Sequence, residues 1–287
     1  MMSRTSLFMI KSIPSDNVVG VVAFHFQPEG LKELVKLSGV GPLIDIMLSR
    51  QAGFSVDDFV KANKGDLLLV FSDLHMKKDS IRVDDAKGTS AKPFVINKPE
   101  VKVLFSAAIG DKDAFSKLMN IGKEMAQGDE EMHYKSNANY FAIGNDANMV
   151  DQYIAGGNHN QPFLDKISGN AIGGFADIQK ILLATPPDPD KDSATKQMWD
   201  LSLKMWDNAV LTGGDYSGGG YNHQFELNLM DKNTNSLRQL FQYAMTMSAL
   251  EQKKMKQVEA EIKLKFPPKE DIKVKIPPPP PVKKKKK

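Results

Sequence analysis

The sequence predicts an α+β fold made of two diverged strand-helix-strand-strand-helix units, with mainly antiparallel sheets and helices packed on one face. Three observations carry this. Short segments alternate apolar and polar residues with a period of two, as half-buried strands do. Five of the predicted helices open with apolar residues at i, i+3 and i+4 behind a turn or capping residue: Leu31/Leu34/Val35, Phe115/Leu118/Met119, Val150/Tyr153/Ile154, Ile178/Ile181/Leu182 and Leu237/Leu240/Phe241. Residues 17–126 read strand, helices, strand, strand, helix, and residues 168–250 read strand, helix, helix, strand, strand, helix, the signature of an internal repeat.

In chain order, "VVGVVAFHFQ" sets Val22, Phe24 and Phe26 against Ala23, His25 and Gln27, and the larger apolar set is expected to face the core. Pro28 opens a helix, where its missing N–H costs nothing. Gly39 and Gly41 end it, and "PLIDIMLSRQ" predicts a second helix. Ser55 and Asp58 have the spacing of an N-cap and its acidic third position, before a short third helix. "GDLLLVFSD" is a compact apolar run, as in a strand buried on both faces, and residues 75–98 form a polar loop or a protruding hairpin. "EVKVLFSAAIG" puts Val101, Val103, Phe105, Ala107 and Ile109 on one face, and Asp111 caps the helix that follows.

Beyond an acid cluster at Gln127–Glu131, "NYFAIGNDANMVDQYIAGG" gives a short strand and a helix, and "GNAIGGFADIQKILLA" gives a strand, Asp177 and a helix. "TPPDPDKDS" interrupts the chain before a helix bearing Met198, Trp199, Leu203 and Trp206. Two strands around a glycine-rich turn follow, with Phe225, Leu227 and Leu229 expected inward, and Asp231 leads into a long helix running toward Lys265. The organisation is thus residues 1–132 as a first unit with its polar loop 75–98, residues 133–157 as a connecting strand and helix, residues 158–265 as a second unit, and residues 266–287 as a disordered Pro/Lys tail.

The 287 residues are 41% apolar and 25% charged, ordinary for a chain that buries a core. The net charge of +3 conceals an asymmetry: residues 251–287 hold 13 Lys and 5 acids, so the first 250 residues are net acidic. Without cysteine there are no disulfides, thiolate metal sites or cysteine nucleophiles. The apolar run at Leu7–Ile10 is too short for a signal peptide, and no stretch has the roughly 20 apolar residues needed to cross a bilayer.

Reactive constellations are sparse. His25, His75, His133, His159 and His223 contain no pair at helical metal-site spacing, and His25 and His223, on the polar phase of their strands, are expected in solvent. "DPDKDS" lacks the glycine and glutamate of a calcium loop and reads as a bend with a helix cap. "GGDYSGGGYN" precedes a strand rather than a helix, so it reads as a hairpin tip and not a phosphate cradle. No G-x-S-x-G elbow is present, and Asp57/Asp58, Asp84/Asp85 and Glu130/Glu131 are adjacent acids on polar stretches. No catalytic residue, cofactor or metal ligand is assigned. Lys283, Lys284, Lys285, Lys286 and Lys287, after five prolines, offer weak contact with an anionic surface but lack the aromatics of sequence-specific nucleic-acid binders.

The segments "VVAFHFQPEGLKELVKLSGVGPLID", "GFSVDDFVKANKGDLLLVFSDL" and "VKVLFSAAIGDKDAFSKLM" resemble the C-terminal portion of a family of uncharacterised Bacteroidota envelope proteins, best over residues 18–126. The resemblance implies a cell-envelope location, periplasmic or associated with the outer membrane. Members usually begin with an export signal, a lipid-attachment cysteine and a further N-terminal region. This chain has neither signal nor cysteine, which implies a truncated, fragmentary or divergent member. The expectation for function is a non-catalytic binding or scaffold module for a protein or glycan partner. The alternative is a hydrolase-like enzyme whose site assembles only in three dimensions, with His25, His75 and Asp73 the first residues to inspect. A weaker one is polyanion binding through the Lys-rich tail.

Overall fold

A computed structural model describes residues 7–14, 16–39, 55–81, 94–125, 132–157, 159–189 and 191–265. The second helix expected in the first unit, the tip of the 75–98 segment, the Gln127–Glu131 cluster and the Pro/Lys tail lie outside these residues.

The elements are α1 (Leu7–Lys11), β1 (Val18–His25), α2 (Pro28–Leu37), α3 (Val56–Ala62), β2 (Asn63–Ile81), β3 (Phe94–Ile109), α4 (Lys112–Met125), β4 (His133–Ser136), β5 (Tyr140–Gly144), α5 (Ala147–Ala155), α6 (Leu164–Ile167), β6 (Ile172–Asp177), α7 (Ile178–Ala184), α8 (Ser193–Met205), β7 (Trp206–Ser217), β8 (Gly220–Leu229) and α9 (Ser236–Lys265). The fold is α+β: the eight strands among the described residues form one antiparallel sheet in the order β4-β5-β3-β2-β1-β6-β7-β8. β1-α2-α3-β2-β3-α4 and β6-α7-α8-β7-β8-α9 repeat one order of elements, and β1 pairs antiparallel with β6 at the middle of the sheet. The polar segment is a hairpin extension, its rungs running from His75↔Glu100 to Ile81↔Phe94.

Local signals set the helix starts. Ser55 and Asp58 form a reciprocal capping box on α3, Asp58 N–H donating to Ser55 Oγ (3.1 Å) and Ser55 N–H to Asp58 Oδ2 (3.0 Å). Asp111, Asp146, Asp177 and Asp192 each accept a backbone N–H three residues on, capping α4, α5, α7 and α8. Of the acids of "DPDKDS", Asp192 caps α8 and Asp188 accepts from Asn97 on the hairpin extension; Asp190 lies outside the described residues.

The sheet has two different faces. On the back, Val21, Ala23, Leu68, Val70, Leu104, Ala142 and Val210 are buried under Met9, Ile10 and Ile13 from the α1 region, Met149, Val150 and Tyr153 from α5, and Phe163, Leu164 and Ile167 around α6. Each fully buried aliphatic side chain there contributes about 1.5–3 kcal/mol. On the front, α4 and the end of α3 lay Ala62, Ala114, Phe115, Leu118 and Met119 over Phe105, Ile109, Phe141 and Ile143. The rest of the front is more open. One cross-strand row, Val22↔Gly174↔Leu211↔Phe225, leaves its three side chains 49%, 38% and 66% exposed.

Helices lie on both faces of the sheet, not on one as the sequence led to expect. Two further expectations are corrected here. Val22 and Phe24 are on the open front, while Val21, Ala23 and His25, which alternate with them, are buried. Phe225 and Leu227 also face outward, and only Leu229 of that trio is buried. The cause is the same in both cases: the back face is closed by α1, α5 and α6, which come from outside the repeated order. Period-two alternation shows which residues share a face but not which face is covered.

Candidate functional site

The row next to that open one runs Phe24↔Ile172↔Gly213↔His223 across β1, β6, β7 and β8. Glycine at 213 leaves a gap in it. Around the gap is a groove of about 460 Å³, bounded by Phe24, His25, Phe26 and Gln27 at the end of β1, Ala171 and Ile172 at the start of β6, Gly214, and Tyr221 and His223 of β8. It lies beside the β1–β6 junction, where β1 ends and β6 begins. Gly214 has φ +93°, and a Cβ there would come within 2.7 Å of the Ala171 methyl, so the close approach of β7 to this wall requires glycine.

The walls are aromatic and imidazole. Phe24 and Phe26 stack with ring centroids 5.9 Å apart. Tyr221 is 63% exposed at the rim. His25 is buried and its Nδ1–H donates to Asp66 Oδ1 at 2.7 Å across the β1–β2 ladder. This corrects the expectation that His25 lies in solvent; a polar residue held in the inward phase by a cross-strand carboxylate looks, in sequence, like one on the outward phase. His223 is exposed, as expected.

The three residues proposed for a hydrolase-like site do not converge. His25↔Asp66 and Val18↔Ser72 stand at opposite ends of the β1–β2 ladder, which places Asp73 about 23 Å from His25 at some 3.3 Å per residue. Asp73 occupies a left-handed conformation (φ +53°) at the β2 irregularity, and its carboxylate lies 3.5 Å from Lys102 Nζ. Lys102 also reaches Asp146 at 3.2 Å, and this pairing raises its pKa, Asp146 being the larger influence and Asp73 the lesser. The Met149 backbone N–H, followed by Lys102, holds the Asp146 carboxyl below the usual range. His75, mostly exposed, hydrogen-bonds the Asp73 carbonyl through Nδ1 (2.9 Å) and stands 3.2 Å from Glu100. These are surface ion pairs that fix the root of the hairpin extension.

No family model, no characterised protein and no solved structure matches this chain. The groove must therefore be read from its own chemistry. His25 oriented by Asp66 is half of an acid–base device, but no Ser, Thr, Cys or Lys side chain is among the groove's described lining residues for it to activate. Among the described residues no three His, Asp or Glu side chains gather to hold a metal ion. A wider depression of about 600 Å³ between α8 and α9 is lined by Lys204, Asp231, Thr234, Gln239 and Gln242. It has neither the imidazoles nor the stacked rings. Sequence reasoning missed Tyr221, Phe24 and Ile172 as neighbours because only the β1–β6, β6–β7 and β7–β8 pairings together bring them near one another.

No helix among the described residues is long and apolar enough to cross a membrane. Lys283–Lys287 lie outside the described residues.

Proposed function

We propose that this chain is a non-catalytic binding or scaffold module that receives a protein or glycan partner in the groove beside the β1–β6 junction. One observation carries the reading: three aromatic side chains, Phe24, Phe26 and Tyr221, and two imidazoles wall a groove of about 460 Å³. Aromatic faces accept either the apolar face of a sugar ring or an apolar side chain of a protein, and imidazole and Gln27 supply polar contacts at its edge. The resemblance of residues 18–126 to Bacteroidota envelope proteins supports work in the cell envelope.

The test is calorimetric titration of the chain with soluble envelope oligosaccharides and with a peptide panel, repeated on Phe24→Ala and Tyr221→Ala. Binding in the wild type that both variants weaken by tenfold or more, a loss of about 1.4 kcal/mol, supports the reading. Binding that neither variant weakens overturns it.

A second reading, hydrolase-like chemistry, is favoured by the His25–Asp66 pair alone. It requires turnover of generic ester, phosphate or glycoside substrates that disappears in His25→Ala.

A further inference from the structure

The helix α9 runs 30 residues, about 45 Å at 1.5 Å per residue. Its first half is tied to α8 and β7: Tyr243 meets Ser202 through its hydroxyl at 2.9 Å and Trp206 edge-on, and farther along Lys254 Nζ donates to Thr195 Oγ1 at 3.1 Å. The opposite flank is apolar and open. Leu237, Phe241, Met245, Met255, Val258 and Ile262 are 43–74% exposed. At 3.6 residues per turn they occupy a single arc of roughly 140°.

The ionic groups on the last turns decide what covers this stripe. Lys256 stands about 100° to one side of Met255, and Lys265 about 80° to the other. The two acids within the arc, Glu251 and Glu259, each sit three residues from a lysine, Lys254 and Lys256, which offsets their charge. Residues 251–287 together carry 13 Lys against 5 acids, while the rest of the chain is net acidic. A second copy of the chain would bring like-charged lysine rims together along the stripe. An anionic lipid surface meets both features at once, taking the apolar side chains into its interface while the lysine stems reach up to the headgroups.

We propose that the C-terminal half of α9 is an interfacial membrane-binding helix. It lies in the plane of an anionic bilayer, with Met255, Val258 and Ile262 inserted and the flanking lysines on lipid phosphates. This does not depend on the groove. It assigns the basic C-terminal region a lipid partner and gives the apolar stripe the deciding share.

The test uses the full chain and sedimentation with vesicles, either pure phosphatidylcholine or phosphatidylcholine with about 30 mol% phosphatidylglycerol, at about 0.05 M and about 0.5 M salt. The expected result is binding to the anionic vesicles at low salt, weakened about tenfold or more at high salt, with little binding to phosphatidylcholine. The triple variant Met255→Gln/Val258→Gln/Ile262→Gln, which changes no charge and only exposed positions, is expected to lose binding about a hundredfold. Circular dichroism and unchanged thermal unfolding confirm that it folds. If the triple variant binds as the wild type does, the attraction is the lysines' alone, as any polyanion would feel it, and the proposal falls. It falls equally if both vesicle types bind alike, if neither binds, or if sedimentation equilibrium finds a dimer that the triple variant dissociates.

Discussion

His25 and Asp66 face each other across the β1–β2 ladder, Nδ1 to Oδ1 at 2.7 Å, with side chains only 6% and 15% exposed. A pair so enclosed leaves its partner stranded when one member is removed. Asp66→Ala or His25→Ala is expected to cost about 1–3 kcal/mol in urea unfolding. The double variant His25→Ala/Asp66→Ala should lose less than the sum of its single changes. Additive losses would show that the two side chains do not depend on one another.

The inverted phase of β1 has an immediate consequence for substitution. Val21 is buried on the back face and Val22 is half exposed on the front. Val21→Ala should therefore cost about 2 kcal/mol through lost burial and a residual cavity. Val22→Thr should stay within about 0.5 kcal/mol. Chemical denaturation of the two variants side by side distinguishes this arrangement from the reverse.

Tyr153 is 3% exposed, and among the described residues its hydroxyl makes no hydrogen bond. Burial pushes its phenol pKa up, and Ser106, which offsets this slightly, donates its own hydroxyl to the Phe141 carbonyl at 2.7 Å. Tyr153→Phe is expected to be neutral or to stabilise by up to about 1 kcal/mol, whereas Tyr153→Ala, which empties the space of the ring, should cost about 3–5 kcal/mol. A clear loss of stability in Tyr153→Phe would mean that the hydroxyl is satisfied in solution.

Two glycines separate backbone strain from steric contact. Gly219 has φ +85° with nothing within 4 Å of an added Cβ, so Gly219→Ala should cost about 1–2 kcal/mol from conformation alone. Gly214 adds the 2.7 Å encounter with Ala171, and Gly214→Ala should cost more and disturb the groove. Comparable unfolding midpoints for the two variants would refute the close approach.

Acid sensitivity follows from the helix caps. The Asp58 carboxyl is lowered chiefly by the Ser55 hydroxyl, and that of Asp146 by the Met149 N–H and then Lys102. Both pKa values are lower folded than unfolded, so the unfolded chain takes up protons first as pH falls. Their stabilisation is complete above the unfolded value of about 4 and is lost as pH drops through the folded values. Urea midpoints should be level above about pH 5 and decline below about pH 4, with a shallower decline in Asp146→Asn. A midpoint that rises on acidification would contradict the assignment.

Helix starts were legible residue by residue because a cap is a local contract. Ser55 with Asp58, Asp111 and Asp177 each satisfy an N–H within three residues, and nothing distant is needed. The succession of strands and helices along residues 17–126 and 168–250 was legible for the same reason. The polar 75–98 stretch was legible only as loop or hairpin, since its rungs depend on pairing across the tip. The groove was not legible at all. Phe24, Ile172 and His223 are separated by long stretches of chain, and no spacing in the sequence ties them together.

What the amino-acid sequence determined by itself is the set of local choices: which segments alternate, where helices begin, which acids cap them, and that the C-terminal region is basic. Tertiary structure alone decided that β1 pairs with β6 to make one sheet, that α1, α5 and α6 close its back, and that His25 is buried on Asp66 while Val22 and Phe225 are not. The physical reason is one of range. Backbone dihedrals and cap hydrogen bonds are settled within a few residues, whereas the burial of a strand face depends on whichever distant element packs against it.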